Sequence, residues 1–197
     1  MRELSLNILD IAQNAVSAAA TLVAIDIIED TEKGEMLVQI SDNGKGMTPA
    51  QTKKAADPFY TTRITRKVGM GIPLFKMAAE MTGGSFSLIS KMNTGTKITA
   101  LFKTQSVDFP PLGDMGSTVA TLIAMNTHMD FKYRHEVDTK EFILHTPDLK
   151  QMLGEVPLSD PTVFEWIKEY IIEQTLAIKT EGSDDTPAQD NSNERND

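Results

Sequence analysis

Three short segments bring together residue types that can do chemistry. The first is Asn7, Asp10, Asn14 and Ser17, spaced three, four and three residues apart, which places them on one stripe of a helix. Short carboxamide, carboxylate and hydroxyl groups are oxygen donors of the kind that hold Mg²⁺ with part of its water shell. The plain alternative is the solvent face of an amphipathic helix, although such faces usually carry Lys and Glu. The second segment is Asp42-Asn43-Gly44-Lys45-Gly46-Met47. Asn-Gly after an alternating strand is the strongest short hairpin signal. Against that reading, Gly46 adds a second glycine and the residues beyond it have helical character. Glycines let a planar ring lie against the backbone, and the Asp42 carboxylate can accept a hydrogen bond from an exocyclic amine such as that of adenine. The third is Gly69-Met70-Gly71, flexible backbone entering a helix whose free N–H groups and dipole favour phosphate. It matches neither the phosphate loop nor the dinucleotide fingerprint, since each lacks its third element here. Thr61-Thr62-Arg63-Ile64-Thr65-Arg66-Lys67 precedes it with hydroxyls and cations, either a phosphate lid or an exposed basic loop.

The elements that must position these residues follow from apolar periodicity. Residues 3–20 read as a helix with Leu4, Leu6, Ile8, Leu9, Ile11, Ala12, Ala15 and Val16 covering most of its surface. Leu22–Glu29 and Met36–Ser41 are β-branched runs with strand character, joined by a turn. Thr48-Pro49 predicts a capped helix running to about Ala56. A helix over 72–82 ends at Gly83-Gly84, and Ser85–Ser90 pairs with Lys97–Lys103 around Asn93-Thr94-Gly95. Phe109-Pro110-Pro111-Leu112-Gly113 then breaks any regular pattern. Beyond it, the sequence predicts a helix over Met115–Met125, strands at Phe131–Glu136 and Glu141–His145, and a helix from Pro161 to Ile178 capped by Asp160.

Of the net charge of −9 over 197 residues, Thr180–Asp197 contributes −5 and the remainder only −4, so the body is mildly acidic. That tail has no large apolar residue and is expected to be disordered. Neither a nucleic-acid footprint nor a membrane span is evident. With no cysteine there is no disulfide framework, and the chain is expected to be cytoplasmic.

Taken in order, the segments resemble the GHKL ATPase superfamily, which includes sensor histidine kinase catalytic domains, gyrase B, MutL proteins and Hsp90-type chaperones. Leu9-Asp10-Ile11-Ala12-Gln13-Asn14-Ala15 resembles the Asn-containing helix, with Asn14 at the magnesium-ligand position. Asp42-x-Gly44-x-Gly46, with Met47 beside it, resembles the adenine motif. Asp57-Pro58-Phe59-Tyr60-Thr61-Thr62-Arg63 resembles the entry to the ATP lid, with Phe59 at its usual aromatic and Thr62 in the same run. Gly69-Met70-Gly71-Ile72 resembles the Gly-x-Gly-Leu phosphate motif. Gly95-Thr96 resembles the last motif, whose Thr helps position the adenine-site carboxylate.

The resemblance covers residues 3–103 and implies an α/β two-layer sandwich, a mixed and mainly antiparallel sheet with helices on one face. It implies ATP and Mg²⁺ as ligands, with Asn14 and Asp10 toward the metal. Gyrase and MutL types place a general-base Glu four residues before the Asn, and histidine kinases usually place Asn there. This chain has Asp10, a candidate base. The short lid resembles kinases, and Arg63 or Lys67 would offset the transferring charge. The leading expectation is a histidine-kinase-like protein that lacks a phosphoacceptor of its own and phosphorylates a protein partner in trans. A non-kinase ATPase switch and a nucleotide-sensing regulatory subunit are the rivals. Residues 104–113 are expected to be a linker, 114–179 a small α/β C-terminal domain that meets the partner, and 180–197 the tail. His128, His135 and His145 have no ligand spacing for a metal, and His135 lies in a strand-like run unsuited to a phosphoacceptor.

Overall fold

Alternation along the strands decides which face of the sheet is covered. In β1 (Leu22–Asp30), β2 (Glu35–Asp42) and β4 (Gly95–Lys103), every second residue is buried: Val23, Ile25 and Ile27, then Met36, Val38 and Ile40, then Ile98, Ala100 and Phe102. The period of two fixes one face inward, so helices must supply the other layer. In the computed structural model, which describes residues 3–57 and 71–180, they do. α1 (Leu4–Ser17) and α3 (Gly71–Met81) cover the first half of the sheet, with Leu4, Ile8, Ile11, Phe75 and Ala79 all buried. Phe75 meets Phe102 of β4 at 5.5 Å between ring centroids. The short helix α2 (Pro49–Ala55) starts with the expected Thr48 cap, reinforced by Gln51 in a reciprocal capping box.

The sheet has six strands in the order β3-β4-β2-β1-β5-β6, with β3 at Ser85–Lys91, β5 at Asp130–Val137 and β6 at Lys140–His145. All neighbours are antiparallel except β1 and β5, which run parallel from Leu22↔Asp130 to Glu29↔Val137. A parallel pair requires a crossover, and the chain makes it through β2, α2, α3, β3, β4 and α4 (Met115–Met125). This is the expected mixed, mainly antiparallel α/β sandwich.

Residues 114–180 do not build a sheet of their own. They extend the first one through β5 and β6, and α4 packs between α1 and α6 (Pro161–Thr180). Val119, Leu122, Ile123, Ile167 and Ile171 are buried in the same apolar core as Leu4 and Ile27. Two strands cannot bury a hydrophobic face unaided, so the C-terminal half borrows the existing sheet. Residues 104–113 are equally engaged. The carbonyls of Pro111 and Leu112 accept from the Leu4 and Ser5 N–H groups at 3.0 and 2.8 Å, satisfying free donors at the start of α1. The break therefore separates sequence motifs and not cores.

One helix was not expected from the pattern: α5 (Thr146–Leu153), although Thr146-Pro147 carries the same Thr-Pro start as α2. The Thr146 hydroxyl accepts from Phe131 N–H at 2.9 Å, which ends the β5–β6 ladder. No helix among the described residues is long and apolar enough to cross a membrane. The acidic tail beyond Thr180 and the lid segment 58–70 lie outside the described residues.

Candidate functional site

The end of β2 and the C-terminal end of α1 are fastened together, and the fastening explains the Asp42–Met47 sequence. Asn43 reaches back to the α1–β1 connection: its Oδ1 accepts from Thr21 N–H at 2.8 Å and Leu22 N–H at 3.0 Å, and its Nδ2 donates to Thr21 Oγ1 at 2.8 Å. Lys45 N–H donates to the Ala18 carbonyl at 3.0 Å. Gly44 lies so close to α1 that a Cβ there would stand 2.8 Å from the Ala18 oxygen and 2.9 Å from its Cβ. Gly46 has φ +63° and is buried under the Lys91 carbonyl, a position that admits only hydrogen. The segment is thus no hairpin; it turns away from the sheet into α2.

Asp42 faces Thr96 across the β2–β4 ladder. Its Oδ1 accepts from Gly44 N–H at 2.8 Å. Burial pushes the carboxyl above its ordinary range, and the Gly44 and Thr96 N–H groups pull back without cancelling that push. Among the described residues no cation pairs with this half-buried carboxylate. Behind it, Ser90 ties three elements together. Its Oγ accepts from Met47 N–H at 2.9 Å, donates to the Gly95 carbonyl at 3.0 Å, and lies 2.9 Å from Thr96 Oγ1. Thr96 therefore supports Asp42 through its backbone N–H, while its hydroxyl engages Ser90.

The other end of the site lies midway along α1. Gly71 opens α3 and is buried against Asp10: a Cβ at Gly71 would stand 2.9 Å from the Asp10 Cβ and 3.8 Å from its Oδ2. The carboxylate of Asp10, itself exposed, is therefore beside a helix N-terminus. Asn14 is half-buried one turn further along. The sequence stripe is split by the fold, since Asn7 is only 4% exposed whereas Ser17 is open to solvent. From Asp10 to Ala18, eight residues at about 1.5 Å each set the two ends about 12 Å apart along the axis.

The structure thus brings Asp10, Asn14, Asp42, Gly44, Gly46, Met47, Gly71 and Thr96 to one side of α1 and its neighbours. Phe59, Thr62, Arg63, Lys67, Gly69 and Met70 lie outside the described residues. Sequence reasoning missed Ser90, Asn43 and Ala18. Asn43 was visible only as half of a hairpin signal, and a Ser inside a strand or an Ala ending a helix has no signature without the fold. Among the described residues no cluster of three or more His, Cys, Asp and Glu side chains could hold a metal.

The histidines stand apart from the site. His135 is fully buried in β5, with Nε2 2.7 Å from Glu29 Oε1 and Nδ1 3.2 Å from the Tyr133 hydroxyl. Lys179 of α6 reaches the same Glu29 oxygen at 2.9 Å. Burial raises the Glu29 carboxyl, but the hydrogen bonds from His135 and Lys179 outweigh it and hold the group below its ordinary value. His128 is exposed after α4, and His145 ends β6 at 3.5 Å from Asp148.

Comparison with known proteins agrees with the fold. Sensor histidine kinase YvrG of Bacillus subtilis (strain 168) is 30% identical over 96 residues, 47% of this chain and 17% of that protein. The curated relatives are much longer, and the aligned part spans only 15–17% of their length. Among solved structures, the N-terminal domain of a DNA repair protein superposes with a TM-score of 0.50 at 14% identity. It covers 73% of this chain and 52% of that one, a likeness of fold alone. Residues 1–106, which hold every motif of the site, match the family described as histidine kinase-, DNA gyrase B-, and HSP90-like ATPases, and the chain belongs to that family.

Proposed function

We propose that the chain binds Mg²⁺-ATP along α1 and transfers the γ-phosphoryl group to a protein partner. One observation carries this reading: Gly44 backs onto Ala18 at one end of α1 and Gly71 backs onto Asp10 about two turns away. A carboxylate suited to adenine and a helix N-terminus suited to phosphate are thereby set along one helix face, about 12 Å apart. Asp42 accepts from the adenine amine, and Gly44 and Gly46, packed against Ala18 and the Lys91 carbonyl, hold the turn that presents it. Asn14 and Asp10 fit a hard cation that keeps several waters and takes its other ligands from phosphate oxygens. When bound, Mg²⁺ supplies charge neutralisation at the phosphates. Asp10 is then placed to accept a proton from the incoming nucleophile, and ADP is the leaving group. Arg63 and Lys67, from the lid segment, complete the proposal as cations that offset charge on the transferring group.

The acceptor is proposed to lie on another molecule, because His135 is enclosed in the core and neither His128 nor His145 sits on a helix. A partner site on residues 114–179 is part of the same proposal. The lack of cysteine and the dependence on ATP support a cytoplasmic location. A non-kinase ATPase is the second reading, favoured by a carboxylate at Asp10 where kinases usually carry Asn. Single-turnover reactions with γ-labelled ATP separate the two. Stable label on an added partner supports the kinase, release of inorganic phosphate alone supports the ATPase, and tight binding without either supports a nucleotide sensor.

A further inference from the structure

The free edge of the sheet at β6 is complementary to itself. The β5–β6 hairpin turns through two residues, Asp138 (φ +55°) and Thr139, between the paired Val137 and Lys140. In such a ladder, alternate residues exchange hydrogen bonds, so the backbones of Lys140, Phe142 and Leu144 face β5. Those of Glu141, Ile143 and His145 face outward, and none of their N–H groups has a backbone partner beyond the sheet among the described residues. The same alternation buries Phe142 and Leu144 at 7% and 3% exposure and leaves Ile143 45% exposed on the open face of the sheet. At the opposite edge, by contrast, α2 packs against β3.

We propose that two copies of this chain pair through β6, antiparallel, about a two-fold axis at Ile143. Only a register centred on an outward-facing residue lets the free backbone groups of both strands meet, and Ile143 is the central one. Ile143 then lies opposite its own copy, so the exposed apolar side chains cover each other. Glu141 lies opposite His145, an acid against a base on both sides of the axis. Phe142 faces Leu144 on the inner side, continuing the core-facing row. The Ile143 N–H groups bond reciprocally to the Ile143 carbonyls, and each His145 N–H meets a Glu141 carbonyl. The His145 carbonyl is spent on the first turn of α5, so the ladder is short and the dimer weak and concentration-dependent. Beside the edge on the helix side, Trp166 is 42% exposed and stacks on Tyr170, which meets Phe142 edge-on, so an apolar ledge continues the seam.

The absence of cysteine gives a direct test on the 197-residue chain. Directly opposed residues in a hydrogen-bonded pair have Cα atoms about 5.5 Å apart, within disulfide reach. Ile143→Cys should therefore form a covalent dimer on mild oxidation, whereas Val107→Cys, at a position 94% exposed, should not. Sedimentation of the unmodified chain across a dilution series should show reversible dimers. Ile143→Lys, which sets two like charges face to face, should abolish them without lowering the melting temperature of the monomer. A monomer at all concentrations, equal crosslinking at both positions, or dimers that survive Ile143→Lys would each overturn the proposal. Occupation of the edge by residues 181–197 or by a foreign strand would leave Ile143→Cys uncrosslinked and would overturn it equally.

Discussion

Asp42→Asn tests the adenine end of the site, because the substitution keeps the shape and changes one property. The asparagine oxygen can still accept from the Gly44 N–H that the Asp42 Oδ1 accepts from. The charge is lost, and the new amide N–H₂ would confront the adenine amine, donor against donor. A hydrogen bond to a charged group contributes about 1.5–3 kcal/mol, so ATP should bind about ten- to a hundred-fold more weakly. GTP offers a carbonyl oxygen where ATP has the amine, so its affinity relative to ATP should rise. Without nucleotide the sign reverses. A carboxyl whose folded-state value is raised adds stability that is full below the unfolded value, about 3.9, and is lost as pH rises through the folded value. At neutral pH the charged, half-buried Asp42 is therefore a net cost to the empty protein, and Asp42→Asn should raise its melting temperature. That gain should fade in acid. Calorimetric titrations with both nucleotides and melts at several pH values supply the measurements. Unchanged ATP affinity, or a lower melting temperature without nucleotide, would refute the reasoning.

Two further substitutions probe what holds the site and the far side of the sheet. Gly46→Ala asks a side chain to adopt φ +63° and to occupy space taken by the Lys91 carbonyl, so denaturant melts should show a loss of more than about 1 kcal/mol. A wild-type midpoint would mean the turn is not packed as described. Glu29→Gln leaves His135 and Lys179 facing a neutral amide and should cost about 1–3 kcal/mol at pH 7. Because the folded value of Glu29 is lowered, its contribution is present above the ordinary value of 4.5 and lost as pH falls through the folded value. Wild type and variant should therefore converge in acid; parallel curves down to the acid transition would show that the carboxylate's charge is not what matters.

The motif-bearing half of the fold was legible because its signals are local. Alternation in Val23–Ile27, Met36–Ile40 and Ile98–Phe102 marks strands, Thr48-Pro49 marks a helix start, and Asp42, Gly44 and Gly46 carry their spacing on their face. What stayed illegible depends on partners distant in sequence. Nothing in Phe131–Val137 announces parallel pairing with β1 at a separation of more than a hundred residues. Asn7 has the same polar character as Asn14, and only the surrounding packing makes one buried and the other available. Ser90 looks like any polar residue of a strand until Met47, Gly95 and Thr96 converge on it.

The division between motif-bearing and motif-free sequence also has a physical consequence. The family match ends at residue 106, but the hydrophobic core does not. Leu4 sits at the start of α1, whose first N–H groups are satisfied by Pro111 and Leu112, and α4 packs along the same helix. β1, at the centre of the sheet, has β2 on one side and β5 on the other. If residues 104–180 were removed, one edge of β1 would lose its ladder, α1 would lose its N-terminal acceptors, and Val23 and Ile27 would lose part of their cover. α1 is also the element that carries Asp10 and Asn14 and abuts both glycine contacts. The C-terminal half is therefore part of what holds α1 in place, and anything that displaces α4 or the Pro111–Leu112 strap acts directly on the position of Asp10 against Gly71.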